Sequence, residues 1–120
     1  MQTSGNPAES VEPELFVQHL SLINNGGFIA RFVVQRLVGG RLISQTNAFG
    51  NIQLGQTRTV DLSALRFHNQ ALDVGDRVRL RVGAAGGTRR NGPEVSYAPN
   101  GQTAAFNVRG TTLVFSINPL

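Results

Sequence analysis

The chain has 120 residues, 40% of them hydrophobic, with no cysteine, no tryptophan and a formal net charge of +4. That is enough apolar material for one core, and the lack of cysteine excludes a disulfide framework, a thiolate metal site and a thiol nucleophile. All 11 basic residues are arginine, which suits phosphate, carboxylate and nucleic-acid contacts, although a complete lack of lysine also fits the codon bias of a GC-rich genome.

Residues 1–14 carry Glu9, Glu12 and Glu14 and are interrupted by Pro7 and Pro13. They read as a flexible acidic leader ahead of one β domain over 15–120. The leader shows no apolar signal-peptide core, so localisation is open between cytoplasmic and non-classically released. No apolar run approaches the roughly 20 residues of a membrane-spanning helix.

Residues 15–23 predict a first strand with Phe16, Gln18, Leu20 and Leu22 facing inward. Asn24-Asn25-Gly26-Gly27 is a turn, because these residues tolerate positive φ. Residues 28–38 predict a strand with Phe28, Ala30, Phe32 and Val34 toward the core. Gly39-Gly40 turns the chain into a shorter strand over 41–46, residues 47–56 read as loop, and 58–62 as another strand. In 77–82 the period of two is clean: Arg77, Arg79 and Arg81 alternate with Val78, Leu80 and Val82. Residues 84–93 have little to bury and read as the most flexible part of the domain. Residues 95–97 form a short extended piece, Pro99-Asn100-Gly101 a turn, and 104–109 and 112–117 the last two strands. Seven to eight short strands with glycine-rich turns and no helix indicate an all-β fold, an antiparallel two-sheet sandwich or small barrel.

Signs of catalysis are scarce. His19 and His68 stand far apart with no acid pattern around them, Asp73 and Asp76 flank a turn, and Gly83, Gly86 and Gly87 lack the lysine of a phosphate loop. No catalytic residue, metal or cofactor is expected.

The run Asn25-Gly26-Gly27-Phe28-Ile29-Ala30-Arg31-Phe32-Val33-Val34 and the later Gly110-Thr111-Thr112-Leu113 resemble the C-terminal domain of the cholesterol-dependent, thiol-activated cytolysins. Residues 50–62 and 77–82 fall where that domain has a polar segment leading into a strand, and the strand before its tryptophan-rich loop. The chain departs from the family at residues 83–92, where that loop is replaced by Gly-Ala-Ala-Gly-Gly-Thr-Arg-Arg-Asn-Gly, and at Arg109, which stands in place of a tryptophan. The resemblance implies a sandwich of immunoglobulin-like general architecture whose loops at one end approach a surface, without pore formation. It also implies that Thr112 and Leu113 occupy the positions of the family's sterol-recognition pair. The residues themselves have a plainer reading: Thr111 and Thr112 cap a turn, and Leu113 enters the core.

The expected function is therefore a non-catalytic surface-recognition module for a glycan or a membrane lipid headgroup. Its expected contact residues are Asn25, Arg89, Arg90, Tyr97, Asn100, Thr111, Thr112 and Leu113. The arginine pair favours anionic headgroups or acidic sugars. Asn24, Asn25, Asn91, Asn100, Gln102 and an exposed Tyr97 offer planar polar groups for sugars. Two alternatives remain: a homo-oligomer that pairs its edge strands, and a single-stranded nucleic-acid binder in which Arg77, Arg79, Arg81, Arg89 and Arg90 form one patch.

Overall fold

The fold is known from a computed structural model that describes residues 15–120; the leader expected over 1–14 lies outside the described residues. Strands β1 (Phe16–Val17), β2 (His19–Asn24), β3 (Ala30–Val38), β4 (Arg41–Gln45), β5 (Phe49–Ile52) and β6 (Thr57–Asp61) lead to a 3₁₀ turn, Leu62–Ala64. After it come β7 (Arg77–Ala84), β8 (Arg89–Asn91), β9 (Val95–Tyr97), β10 (Thr103–Gly110) and β11 (Phe115–Pro119).

They form two sheets. The larger runs β1-β9-β7-β3-β4, with β5 also on β3 and β8 also on β7; the smaller runs β11-β10-β2-β6. Pairing is antiparallel except for β1 with β9 and β2 with β10. The result is the expected two-sheet sandwich, and neither sheet closes into a barrel.

Alternation explains the core. Leu20 and Leu22 from β2, Ala30, Phe32 and Val34 from β3, and Val78, Leu80 and Val82 from β7 are buried between the sheets. The ring of Phe32 stacks on Phe49 at 5.2 Å, and that of Phe28 packs against Phe115 at 5.0 Å. Leu37, next to a register shift between β3 and β4, is buried as well but lies outside this core cluster.

Three short strands depart from the sequence expectation. The first predicted strand is broken at Gln18, so β1 joins the larger sheet and β2 the smaller. The break reverses the parity: Val17 is buried and Phe16 is 38% exposed. Gln18 holds the crossing, donating its backbone N–H to the Gln102 carbonyl (2.9 Å) and accepting from Leu62 N–H (2.8 Å). Within residues 47–56, β5 was hidden by Gly50 and by Asn51, whose φ is 59°. Within residues 84–93, expected to be flexible, β8 is an exposed edge strand that pairs with β7 and buries no side chain.

Asn24, at the end of β2, is fully buried. Its Nδ2 donates to the carbonyls of Phe28 (2.6 Å) and Ile52 (2.8 Å), and its Oδ1 accepts from Gly26 N–H (2.9 Å). One carboxamide thus joins the small sheet, the β2–β3 loop and β5. An orphaned buried polar group costs about 1–3 kcal/mol, so Asn24→Ala is expected to lower the unfolding free energy by about 3 kcal/mol in urea denaturation.

At the other end, the Asp61 carboxylate caps the 3₁₀ turn, accepting from Ser63 N–H at 2.9 Å and from Gln18 Nε2 at 3.3 Å. The Ser63 bond holds its pKa below the ordinary 3.8. A lowered carboxyl pKa stabilises the fold above the unfolded-state value and loses that stabilisation as pH falls through the folded-state value. Asp61→Asn should therefore destabilise the protein at pH 6–7, and the difference from the unaltered chain should shrink below about pH 4, read from melting temperatures across that range.

Candidate functional site

Three loops meet at the end of the sandwich where β2, β7 and β10 finish: residues 25–29, 85–88 and 111–114. Asn25 N–H and Gly27 N–H donate to the carbonyls of Val108 and Gly110, each at 2.9 Å. Ala85 N–H reaches the Ile29 carbonyl at 2.9 Å, and Thr88 N–H the Thr112 carbonyl at 3.1 Å. These bonds tie the loops to one another directly. Gly87 permits the last approach, because a β-carbon there would run into the carbonyl oxygen of Thr112. Within the β10–β11 turn, Thr111 N–H donates to the Val114 carbonyl at 2.7 Å, and the Thr111 hydroxyl accepts from Val114 N–H at 3.2 Å. Gly110 takes the positive φ of 128° that the turn requires.

The turn reading of Thr111 holds, but Leu113 does not enter the core. It is 75% exposed and Val114 67%; Phe115 takes the buried position instead. Ile29, 42% exposed, stands on the adjoining loop. This end therefore carries apolar side chains without cover. Isolated exposed leucines are ordinary; three apolar residues on loops bonded to one another are not isolated.

Charge is distributed unevenly along the sandwich. The strand registers place Arg31, Arg58, Arg81, Arg89, Arg90 and Arg109 in the half toward this end. The four acids of the described residues, Asp61, Asp73, Asp76 and Glu94, lie in the other half, beside His19, Tyr97 and Val95. There they pair with arginine in two cases, Arg36–Asp76 at 3.5 Å and Arg77–Glu94 at 3.4 Å.

Of the residues expected to form the site, Asn25, Arg89, Arg90, Thr111, Thr112 and Leu113 are brought to this end. Tyr97 and Asn100 are not. Tyr97 is 6% exposed and belongs to the core, its hydroxyl 2.7 Å from that of Ser63. Its position in β9, between β1 and β7, accounts for the burial. Asn100 lies at the opposite end, where Nδ2 donates to the Phe16 carbonyl (2.9 Å) and Oδ1 accepts from Gln102 N–H (2.9 Å). Asn24 is buried, as described above, and Asn91 is engaged with Arg81, whose Nη1 donates to its Oδ1 at 2.8 Å.

Nor do the five arginines expected of a nucleic-acid face form one patch. Arg89 pairs across from Gly83, on the same face of the sheet as Arg81. Arg90 pairs across from Val82 and lines an open groove with Arg109, Val114 and Ser116. Arg77 is ion-paired with Glu94, and Arg79 Nε donates to Gln35 Oε1 at 2.8 Å.

Sequence reasoning passed over Ile29, Val114 and Arg31 as site residues, and weighed Gly83 only as part of a phosphate loop. Strand parity assigned Arg31 to the wet face of its strand, and nothing local showed that β8 would pair beside it. On the outer face of the larger sheet, Arg31, Arg81 and Arg89 surround a cleft of about 440 Å³ with Gln45, Gly83 and Gly86. Among the described residues no three His, Cys, Asp or Glu side chains group to hold a metal ion.

No family model and no curated protein sequence matches the chain. Among solved structures, it is similar over 86% of its length to pneumolysin at 15% identity and a TM-score of 0.44. A Gram-negative toxin matches 85% of it at 15% identity and a TM-score of 0.45, and listeriolysin O 86% at 14% and 0.41. The likeness is domain-sized: the chain spans 23% of pneumolysin and 22% of each of the other two.

Proposed function

We propose that the chain is a non-catalytic surface-recognition module that docks on anionic lipid surfaces by the loop end of the sandwich. The observation that carries this reading is the coincidence, at one end, of exposed Ile29, Leu113 and Val114 with arginines that, among the described residues, have no acid in their half of the sandwich. Apolar side chains at the boundary of the acyl region and a basic rim facing the headgroups are the two contributions that interfacial binding needs. The field of the segregated charges orients the approach before contact is made. A glycan is the lesser candidate, because Tyr97, the ring expected to stack on a sugar, is buried.

A second reading has its own observation. Strand β4 is an edge of the larger sheet, and Val38, Leu42 and Ile43 on or beside it are 54%, 50% and 50% exposed. An edge of this kind can pair with a second copy. A concentration-dependent dimer in analytical ultracentrifugation that Ile43→Lys removes would support it.

The docking reading is tested by co-sedimentation with phosphatidylcholine vesicles, with and without phosphatidylserine, at low and at moderate salt. Binding is expected only to the anionic vesicles and should weaken as salt rises. Burying a leucine and a valine contributes about 1.5–3 kcal/mol each, so Leu113→Asp with Val114→Asp should weaken binding by at least about tenfold while leaving the melting temperature within a few degrees. Equal binding by the double variant, or binding to sulfated glycans and to no vesicle, would overturn it.

A further inference from the structure

The loop end explains Leu113 and Val114 but not the cleft beside it. Gly83 lies inside β7, opposite Arg31 of β3 on one side and Arg89 of β8 on the other. Glycine in a strand interior is destabilising and often marks a place where a ligand approaches the backbone. Neither ordinary reason for glycine applies here. Its φ lies outside the left-handed region, and a β-carbon would meet only the Arg89 side chain, at 3.4 Å. The gap between the two arginines is open for want of a side chain at this position.

The arginines around the gap are held without being neutralised. Arg31 Nε donates to Asn51 Oδ1 at 3.3 Å, and Arg81 Nη1 to Asn91 Oδ1 at 2.8 Å. Both partners are amide oxygens, so the positive charge stays whole and the remaining guanidinium N–H groups stay available. No hydrogen bond or ion pair engages Arg89 among the described residues, and none of the four acids lines the cleft. This contrasts with Arg36 and Arg77, which face carboxylates at the other end of the sandwich.

We infer that the cleft around Gly83 is an oxyanion site, in which Arg31, Arg81 and Arg89 converge on the phosphate of a phosphomonoester. Three guanidinium forks match the several acceptor oxygens and double charge of a phosphomonoester better than the single charge of a carboxylate or phosphodiester. The volume of about 440 Å³ accommodates a small headgroup. Ala85, Gly86 and Gly87, which also line the cleft, belong to a loop of the docking end. A headgroup phosphate held there would thus lie beside the membrane face. The inference deepens the docking reading and rests on it for the lipid as the source of the phosphate.

The test compares the full chain on phosphatidylcholine vesicles containing phosphatidic acid or phosphatidylserine, matched for surface charge. Soluble glycerol phosphate provides a second arm, followed by the arginine Nε–Hε resonances. The site predicts at least a tenfold preference for phosphatidic acid, competition by millimolar glycerol phosphate, and shifts confined to Arg31, Arg81 and Arg89. Gly83→Val fills the gap with a good strand former, and Arg31→Gln with Arg89→Gln removes two forks. Each should abolish the preference; Gly83→Val, which keeps every arginine of the rim, should leave charge-driven binding to phosphatidylserine vesicles in place, whereas the arginine pair should weaken that binding as well. Equal binding to the charge-matched vesicles, or a preference that survives Gly83→Val in a folded protein, would overturn the site and leave the docking reading standing. Shifts with glycerol phosphate but no binding to any vesicle would support the site with a free phosphomonoester as its ligand and overturn the docking reading instead.

Discussion

The buried carboxamide of Asn24 is the interaction on which the loop end depends. Its three hydrogen bonds, all between 2.6 and 2.9 Å, join the end of β2 to residues 26 and 28 and to β5. A buried amide must find its partners within the protein, so they fix the path of residues 25–29. That path places Gly27 N–H on the Gly110 carbonyl and the Phe28 ring against Phe115, 5.0 Å away. Phe115 in turn anchors the strand that follows the 111–114 turn. The exposed residues of this end can remain uncovered because a few buried groups hold the loops beneath them.

The sandwich separates two kinds of surface along its length. Acids, ion pairs and the capped 3₁₀ turn collect at the end where β1 crosses to β2. Six arginines with no carboxylate partner among the described residues, and the exposed apolar loop residues, lie toward the other. A net charge of +4 describes neither half well. A protein with this distribution is steered as a dipole more than as a simple cation. In the docking proposed above, its exposed leucine and valine contribute only after the end has been turned toward a surface.

The sequence was legible where side chains alternate over a long enough run. The inward rows of β3 and β7 read directly from Ala30, Phe32, Val34, Val78, Leu80 and Val82, and from them came an all-β sandwich or small barrel, which the family resemblance narrowed to two sheets. It was not legible where pairing alone makes a strand. Arg89–Asn91 buries no side chain and is a strand only because β7 lies beside it. Tyr97 and Leu113 exchanged their expected environments for related reasons. Three-residue β9 lies between two neighbours that bury the tyrosine, and the 111–114 turn is longer than the glycine and hydroxyls imply, which leaves the leucine outside. The cleft arginines come from three strands, and no local spacing marks such a set. The candidate site was accordingly legible loop by loop, whereas its grouping and the loss of Tyr97 and Asn100 from it followed from the topology.

Hydrogen–deuterium exchange of the chain, free and on phosphatidylserine-containing vesicles, tests the central claim most directly. Docking by the loop end predicts protection concentrated in residues 25–29, 85–88 and 111–114, with no change at residues 98–102 or along β4. Protection centred on either of those two regions, or uniform exchange with and without vesicles, would contradict the account.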